Sequence, residues 1–584
     1  MRNIMWGKCV LWACGLMPWA AFALGDGPVL QRHVDQAAAE SGAESFDALF
    51  AQGHALFVAK FNQYDGQGRP ATTGGGAPRV AGSAPLFLRT SGPDSNSCAG
   101  CHNDPFIGGA GDVVANVFVL AQTLDPVTES VSGRFSNERN TLGMQGSGAI
   151  EMLAREMSVA LRAQRAAGMQ QALASGQPVR VALSAKGVSF GSLVAQPDGH
   201  YDNTDVQGID ADLVLKPFHQ KGVVVSLREF SVNAMNHHHG MQAVERFGMA
   251  RTGSADFDQD DVADELSVGD ITAVTLYQAA LGVPGQVLPS DNEALVSTLV
   301  GERLFDRIGC ADCHVPVLAL EDREFAEPNP FNPSGTAGVA DLREIRFDLT
   351  TQGQLPRLEA SANGGALVRA YTDLKRLFDR IGCADCHVPV LALEDREFAE
   401  PNPFNPSGTA GVADLREIRF DLTTQGQLPR LEASANGGAL VRAYTDLKRH
   451  NLCDADIRHL CNEQLVQAGV ATELFLTRKL WDVGNSAPYG HKGDLTTLTE
   501  AIDVHGGDAR YSRDAYFALD QRGRDAVIDF MKSLQMLPPG TPDLIVDSTL
   551  QAVQKSALQQ RHALAVQHAL AEADARQLND KGRR

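Results

Sequence analysis

The chain is short of basic residues: 51 Lys and Arg stand against 71 Asp and Glu in 584 residues, a formal net charge of -20. A protein that grips a phosphate backbone needs a basic face, so this balance argues against nucleic-acid binding. Cysteine is scarce too, and ten are too few to staple a chain of this length as a disulfide scaffold. Long apolar runs are missing beyond residue 23, so no later segment is expected to cross a bilayer. Disorder is excluded as well, because 43% of residues are hydrophobic and 21% charged, a globular composition that fills more than one core.

The first 23 residues read as an export signal. Arg2 and Lys8 precede an apolar stretch with Trp12, Leu16, Met17 and Trp19, and Ala21-Phe22-Ala23 offers a small-x-small cleavage site. The stretch is short for a membrane anchor and is interrupted by Pro18. The expectation is a signal peptide over 1–23, a mature chain from near Leu24, and a soluble protein in a bacterial periplasm, which is oxidising.

Residues 303–375 are repeated without a change as 376–448. Solenoid repeats are shorter, more numerous and imperfect. A perfect copy has not diverged, so one copy is surplus to the parent fold, and the sequence does not say which. Elsewhere, 67–85 is rich in Gly, Pro and Ala and reads as a loop. Helical spacing marks 46–61, 141–163, 270–281, 293–308 and 525–534, and 178–200 alternates as a strand pair would. Residues 546–584 read as a polar helical tail.

The chemistry sits in a pentapeptide. Cys98-Ala99-Gly100-Cys101-His102 is CxxCH, as are Cys310-Ala311-Asp312-Cys313-His314 and Cys383-Ala384-Asp385-Cys386-His387. Two thiols at this spacing add to the two vinyl groups of one haem, and the adjacent histidine reaches the iron. From composition the chance expectation is about 0.005 matches. A zinc site would need paired ligand clusters, and a redox CxxC needs no following His. Haem c is therefore expected twice, or three times if both copies are loaded, with His102 and one or both of His314 and His387 as fifth ligands.

NSCAGCHNDPFIGGAGD (96–112) and KLWDVGNSAPYGHKGDLTTLTEAIDVHGGDAR (479–510) resemble the di-haem oxidoreductase family, often labelled thiol oxidoreductase-like, which belongs with the bacterial di-haem cytochrome c peroxidases. NERNTLGMQGSGAIEMLAREM (137–157) and FNQYDGQGRP (61–70) are family-like as well, so the resemblance covers most of 45–540. It implies a mainly α fold of two cytochrome c-like helical domains, one haem each, at 24–288 and 289–540. The β excursion would lie in the first, and a polar helical tail would occupy 541–584. In the peroxidases, Pro-Tyr-x-His-x-Gly is followed fourteen residues after its His by the sixth ligand of the C-terminal haem, usually Met. Here the segment is Pro488–Gly493, and fourteen residues after His491 stands His505. The resemblance thus implies His505 as distal ligand, and imidazole in place of thioether lowers the reduction potential. His491 would be a hydrogen-bonding residue near the haem edge.

The same resemblance places a displaceable His sixteen residues after the N-terminal motif. That position is Phe118, which cannot ligate iron. His237, His238 and His239, or Met144, are other sources of a ligand, against a solvated loop for the triplet. Arg139 and Glu151 are polar groups that an open iron would use. Trp481 is the sole Trp after the signal, suited to core packing or to an inter-haem relay. Cys453 and Cys461 suit a disulfide in an oxidising compartment. Asp256, Asp258, Asp260 and Asp261 resemble the start of a calcium loop, but position six is Asp261 and position twelve Ser267, where Gly and Glu are expected. A calcium site and a solvated acidic turn both stay open.

The leading expectation is a periplasmic di-haem oxidoreductase that takes electrons from a small redox protein, a cytochrome or cupredoxin, and reduces a small oxidant such as hydrogen peroxide at the His102 haem. A pure electron carrier and an oxygenase acting on an apolar organic substrate are the alternatives.

Overall fold

The computed structural model describes residues 27–67, 95–111, 114–116, 138–321, 324–333, 336–348, 352, 431–433, 439–463, 466–467 and 469–581. The signal segment, Phe118 and the motif Cys383, Cys386, His387 lie outside the described residues.

The expected mainly α pair of cytochrome c-like domains is not what forms. The described chain is mixed, with six sheets of two or three strands set among the helices. The reason is physical. Strands such as Gly285–Leu288, Leu318–Leu320 and Arg449–Asn451 are too short to carry a readable alternation. They exist through distant pairing: Gly285–Leu288 lies antiparallel to Leu534–Gln535 and parallel to Ile545–Asp547.

Longer periodic segments form where spacing predicts them. Helix Phe46–Val58 is capped by the Ser45 side chain, which accepts the Ala48 N–H. It packs on helix Val268–Ala279 through Gly53, where a Cβ would stand 2.1 Å from the Ala273 carbonyl oxygen. Helix Ser147–Ser175 begins later than expected, because Glu138–Asn140 forms a strand with Val114–Asn116 and Gly146 turns with φ +66°. Its first half is buried in the larger core, and its second half backs the hairpin Val179–Ala185 and Val188–Ala195. Lys186 and Gly187 both take positive φ at that hairpin turn, as a two-residue connection requires.

A second core forms where helix Asn292–Arg307 packs on helix Gln521–Ser533 through Leu304, Phe305, Val527 and Phe530. The long helix Lys555–Lys581 lies against the same pair, with Lys555 reaching Glu302 at 3.0 Å. Among the described residues no helix is long and apolar enough to cross a membrane.

The tandem repeat contributes in a particular way. Described residues 303–348 come from the first copy and 431–448 from the end of the second, the equivalents of 358–375. Leu318–Leu320 of the first copy pairs with Ala439–Val441 of the second, which pairs with Glu432–Ala433. The front of one copy and the end of the other thus build one unit.

Candidate functional site

Helix Asn292–Arg307 runs into Gly309, whose φ of +86° breaks it one residue before Cys310. The turn Cys310–Cys313 then sets both thiols three residues apart on one side, with His314 following. His314 Nδ1 lies 3.1 Å from the carbonyl oxygens of Tyr444 and of Arg478. A carbonyl only accepts, so Nδ1 carries the proton and Nε2 keeps its lone pair for a metal.

His505 follows the short helix Leu498–Asp503 and is oriented the same way, its Nδ1 donating to the Ala501 carbonyl at 2.6 Å. The His314 and His505 ring centres lie 6.5 Å apart. Two imidazoles sharing one iron in trans sit with ring centres roughly 6 Å apart, given metal–nitrogen bonds of about 2 Å. Burial, and then His505, pushes His314 down to about 4, and burial lowers His505 as well, so both stand neutral as ligands must.

Both rings, Cys310 and Cys313 border one cavity of about 290 Å³ with apolar walls that include Phe305, Leu480, Ile502 and Met531. Arg478 and Lys479 border it too. Burial lowers Arg478 to about 10, while burial and then Arg478 bring Lys479 to about 7, with no acidic side chain among the causes in either case. Two thiols, two neutral imidazoles, apolar walls and a pair of cations suit haem c, whose propionates supply the missing negative charge. The residues present fit the group.

The cavity continues past the first site to Asn140–Gly143, Gln145 and Gln220. His491 borders this extension, with both ring nitrogens buried and lacking a hydrogen-bond partner. Burial, then Arg139 and neighbouring cations, pushes it down to about 3. Trp481 borders the cavity as well, packs on Gly146, and donates its indole N–H to the Arg442 carbonyl. It is partly buried against the larger core.

The N-terminal motif folds as the turn Cys98–Gly100, followed by Cys101 and His102. Gly111, with φ +74°, passes so close that a Cβ would stand 1.7 Å from the Cys101 carbonyl oxygen, which explains the glycine-rich FIGGAGD. Burial pushes His102 down to about 4. Its Nδ1 is buried without a hydrogen bond, although the Gly109 and Leu142 carbonyls lie near.

The His triplet is not a solvated loop. It forms a π-helical turn, Met235–His239, with His239 only 3% exposed. His239 Nδ1 donates to the Ser95 carbonyl at 2.7 Å, and its Nε2 meets Cys98 Sγ at 3.3 Å. Spacing gave no hint that His239, of the three, stands beside the Cys98 sulfur.

Other expected polar groups are engaged elsewhere. Arg139 pairs with Glu463 and Gln467. Glu151 accepts the Leu227 N–H at 2.8 Å and the Asn329 amide at 2.6 Å inside the core. Met144 is buried in the larger core. Cys453 and Cys461 form a disulfide. Ligand atoms of Asp256, Asp258 and Asp260 lie within 4.8 Å of one another, while the Asp256 carboxylate accepts backbone N–H groups of Gln259, Asp260 and Asp261.

A cavity dressed in this way defines a haem redox protein. Comparison carries the assignment further: residues 425–534 match the family model described as "Di-haem oxidoreductase, putative peroxidase". The match covers the segment that holds His491 and His505 and supports the likeness of the chain to the di-haem oxidoreductases. The matched stretch contains no CxxCH. No curated protein matches the chain. Among solved structures, a hydrazine synthase of Kuenenia stuttgartiensis pressurised with xenon is similar at 12% identity, over 90% of this chain and 100% of that one, with a TM-score of 0.30. A MauG-like protein associated with microbial copper homeostasis is similar at 12% identity, over 70% of this chain and 91% of that one, with a TM-score of 0.21.

Proposed function

We propose that the chain is an exported di-haem c-type oxidoreductase that reduces hydrogen peroxide. The observation that carries this reading is the His314–His505 pair, 6.5 Å apart across an apolar cavity with both Nδ1 protons tied to carbonyls. Cys310 and Cys313 would hold one haem, with His314 and His505 as the residues that would ligate it. Cys98, Cys101 and His102 would hold the second. Haem at these sites supplies one-electron chemistry and, where the sixth position is replaceable, reduction of a small oxidant. Arg478 and Lys479 balance propionate charge, and the apolar walls exclude water. The electron donor is a small redox protein, a cytochrome or cupredoxin. Residues 1–23 direct export to the periplasm, where haem attachment and the disulfide both belong.

The test is the purified holoprotein. Intact mass and pyridine haemochrome should count two haems, or three if the Cys383–Cys386 motif is also loaded. Ferric spectra should show one low-spin centre indifferent to cyanide and one that responds to cyanide and peroxide, with peroxide consumed when a reduced cytochrome is supplied. A colourless product sinks the reading. Two cyanide-indifferent low-spin centres reduce it to an electron carrier.

A further inference from the structure

His505 is an awkward residue to hold still. Its helix, Leu498–Asp503, has six residues, too few to be stable alone. The chain leaves it at once through Gly506 and Gly507. Something outside this segment must hold the ring in place.

That support is the loop closed by Cys453 and Cys461, whose Cα atoms lie 5.3 Å apart. The Gly506 N–H donates to the Leu452 carbonyl at 3.2 Å, and the Gly507 N–H to the Asp454 carboxylate at 2.9 Å. Asn451 N–H donates to the Asp508 carboxylate at 3.0 Å, and Arg510 reaches Asp454 at 3.3 Å. Asp454 also accepts the N–H groups of Asp456 and Ile457, at 2.9 and 2.8 Å, so its carboxylate organises the loop and the turn after His505 together. The fit is close: a Cβ on Gly507, where φ is +53°, would stand 2.2 Å from the Asn451 carbonyl oxygen.

The same loop shares a frame with the opposite imidazole. Strand Arg449–Asn451 pairs with Leu474–Leu476, and two residues beyond that strand Arg478 offers the carbonyl that fixes His314. Both imidazoles are thus referenced to one hairpin. Closing a short loop covalently removes freedom it would otherwise spend moving.

We propose that the Cys453–Cys461 loop, acting through Asp454, is the positioning device that keeps His505 opposite His314, so that replacing the two cysteines frees the distal side of the C-terminal site. Cys453, Asp454 and Cys461 are positioning residues, since none of the three lines the cavity, which Leu460 of the same loop does. The proposal rests on the reading of His505 as a haem ligand given above.

The experiment uses the full-length holoprotein and reads ferric absorption and electron paramagnetic resonance, with haem content as the control. His505→Ala defines the reference: it should convert one low-spin centre to high-spin, and added imidazole should restore it. The double variant Cys453→Ser, Cys461→Ser should lose at least half of that same signal at unchanged haem content, with rescue by imidazole. If the double variant does not fold, Asp454→Ala decides by the same criterion. Full retention of the signal in the deciding variant, with conversion in His505→Ala, overturns the proposal and leaves the ligand reading standing. No change in His505→Ala overturns both.

Discussion

At Cys310–His314 the proximal imidazole has two carbonyls for its Nδ1 proton and a second imidazole facing it. At Cys98–His102 the imidazole is buried beside the Gly109 and Leu142 carbonyls, and the nearby histidine, His239, has its Nε2 3.3 Å from the Cys98 sulfur. The CxxCH spacing is the same in both places, with Gly100 in one where the other has Asp312, and each motif folds as a short helical turn. What differs is supplied from elsewhere: Tyr444, Arg478 and His505 on one side, Ser95 and the π-helical turn on the other. The motif fixes where two thiols and an imidazole stand together, while distant segments decide what surrounds that imidazole.

The sharpest way to break that comparison is to remove each proximal ring. His314→Ala should abolish the low-spin signal of the two-imidazole centre, whereas His102→Ala should leave it intact and remove the cyanide response. If both variants lose the same signal, the two sites are not distinct. A smaller effect is expected from His505→Met. It should keep six-coordination and raise the reduction potential of that centre alone by on the order of 0.1 V, within the span that axial ligands cover. Spectroelectrochemical titration measures it, and a shift in both centres would contradict the assignment.

The two regions differ in their response to pH as well. Beside the N-terminal core, burial and the neighbouring Glu327 carboxylate raise Glu151 to about 8, and burial raises Glu327 to about 7 despite Arg228. Both folded values lie above the ordinary range near 4.5, so the folded protein binds more protons than the unfolded chain between those limits. Stability from these groups is complete below about pH 4.5 and is lost as pH rises through 7 to 8. The buried histidines, with lowered values, act in the opposite direction, so thermal unfolding at pH 5 and pH 8 is compared between wild type and Glu151→Gln, and the wild type should lose stability relative to the variant as pH rises. A wild type that gains on the variant over that interval would contradict the assignment.

The least effect is expected from shortening the repeat. Removal of any 73-residue window within 303–448 yields the same sequence, and the described unit already uses the front of one copy with the end of the other. The shortened chain should keep the two-imidazole signal and its unfolding midpoint to within a few degrees, and its mass should fit two haems. Loss of that signal would show that the surplus residues support the site.

The candidate site was legible in the sequence because covalent haem attachment, if it occurs here, is a local demand. Thiols must be spaced to meet two vinyl groups, and the spacing is written in five consecutive residues. Helix Val268–Ala279 and the hairpin Val179–Ala195 were legible for a similar reason, since each has enough periodicity to declare its buried face. The mixed fold was not. Strands such as Leu534–Gln535 or Glu432–Ala433 have two residues and exist through their partners. The role of His239 was hidden likewise, because the Cys98 thiol that it meets is 141 residues away in sequence.

By itself, then, the sequence determined the chemistry that can be attached and the segments periodic enough to fold on local terms. Tertiary structure decided which carbonyls orient the His314 imidazole and which histidine faces it. The reason is one of range: bond-forming groups act over a few residues of chain, whereas hydrogen-bond acceptors, opposing ligands and sheet partners are brought in from anywhere that burial makes room for them.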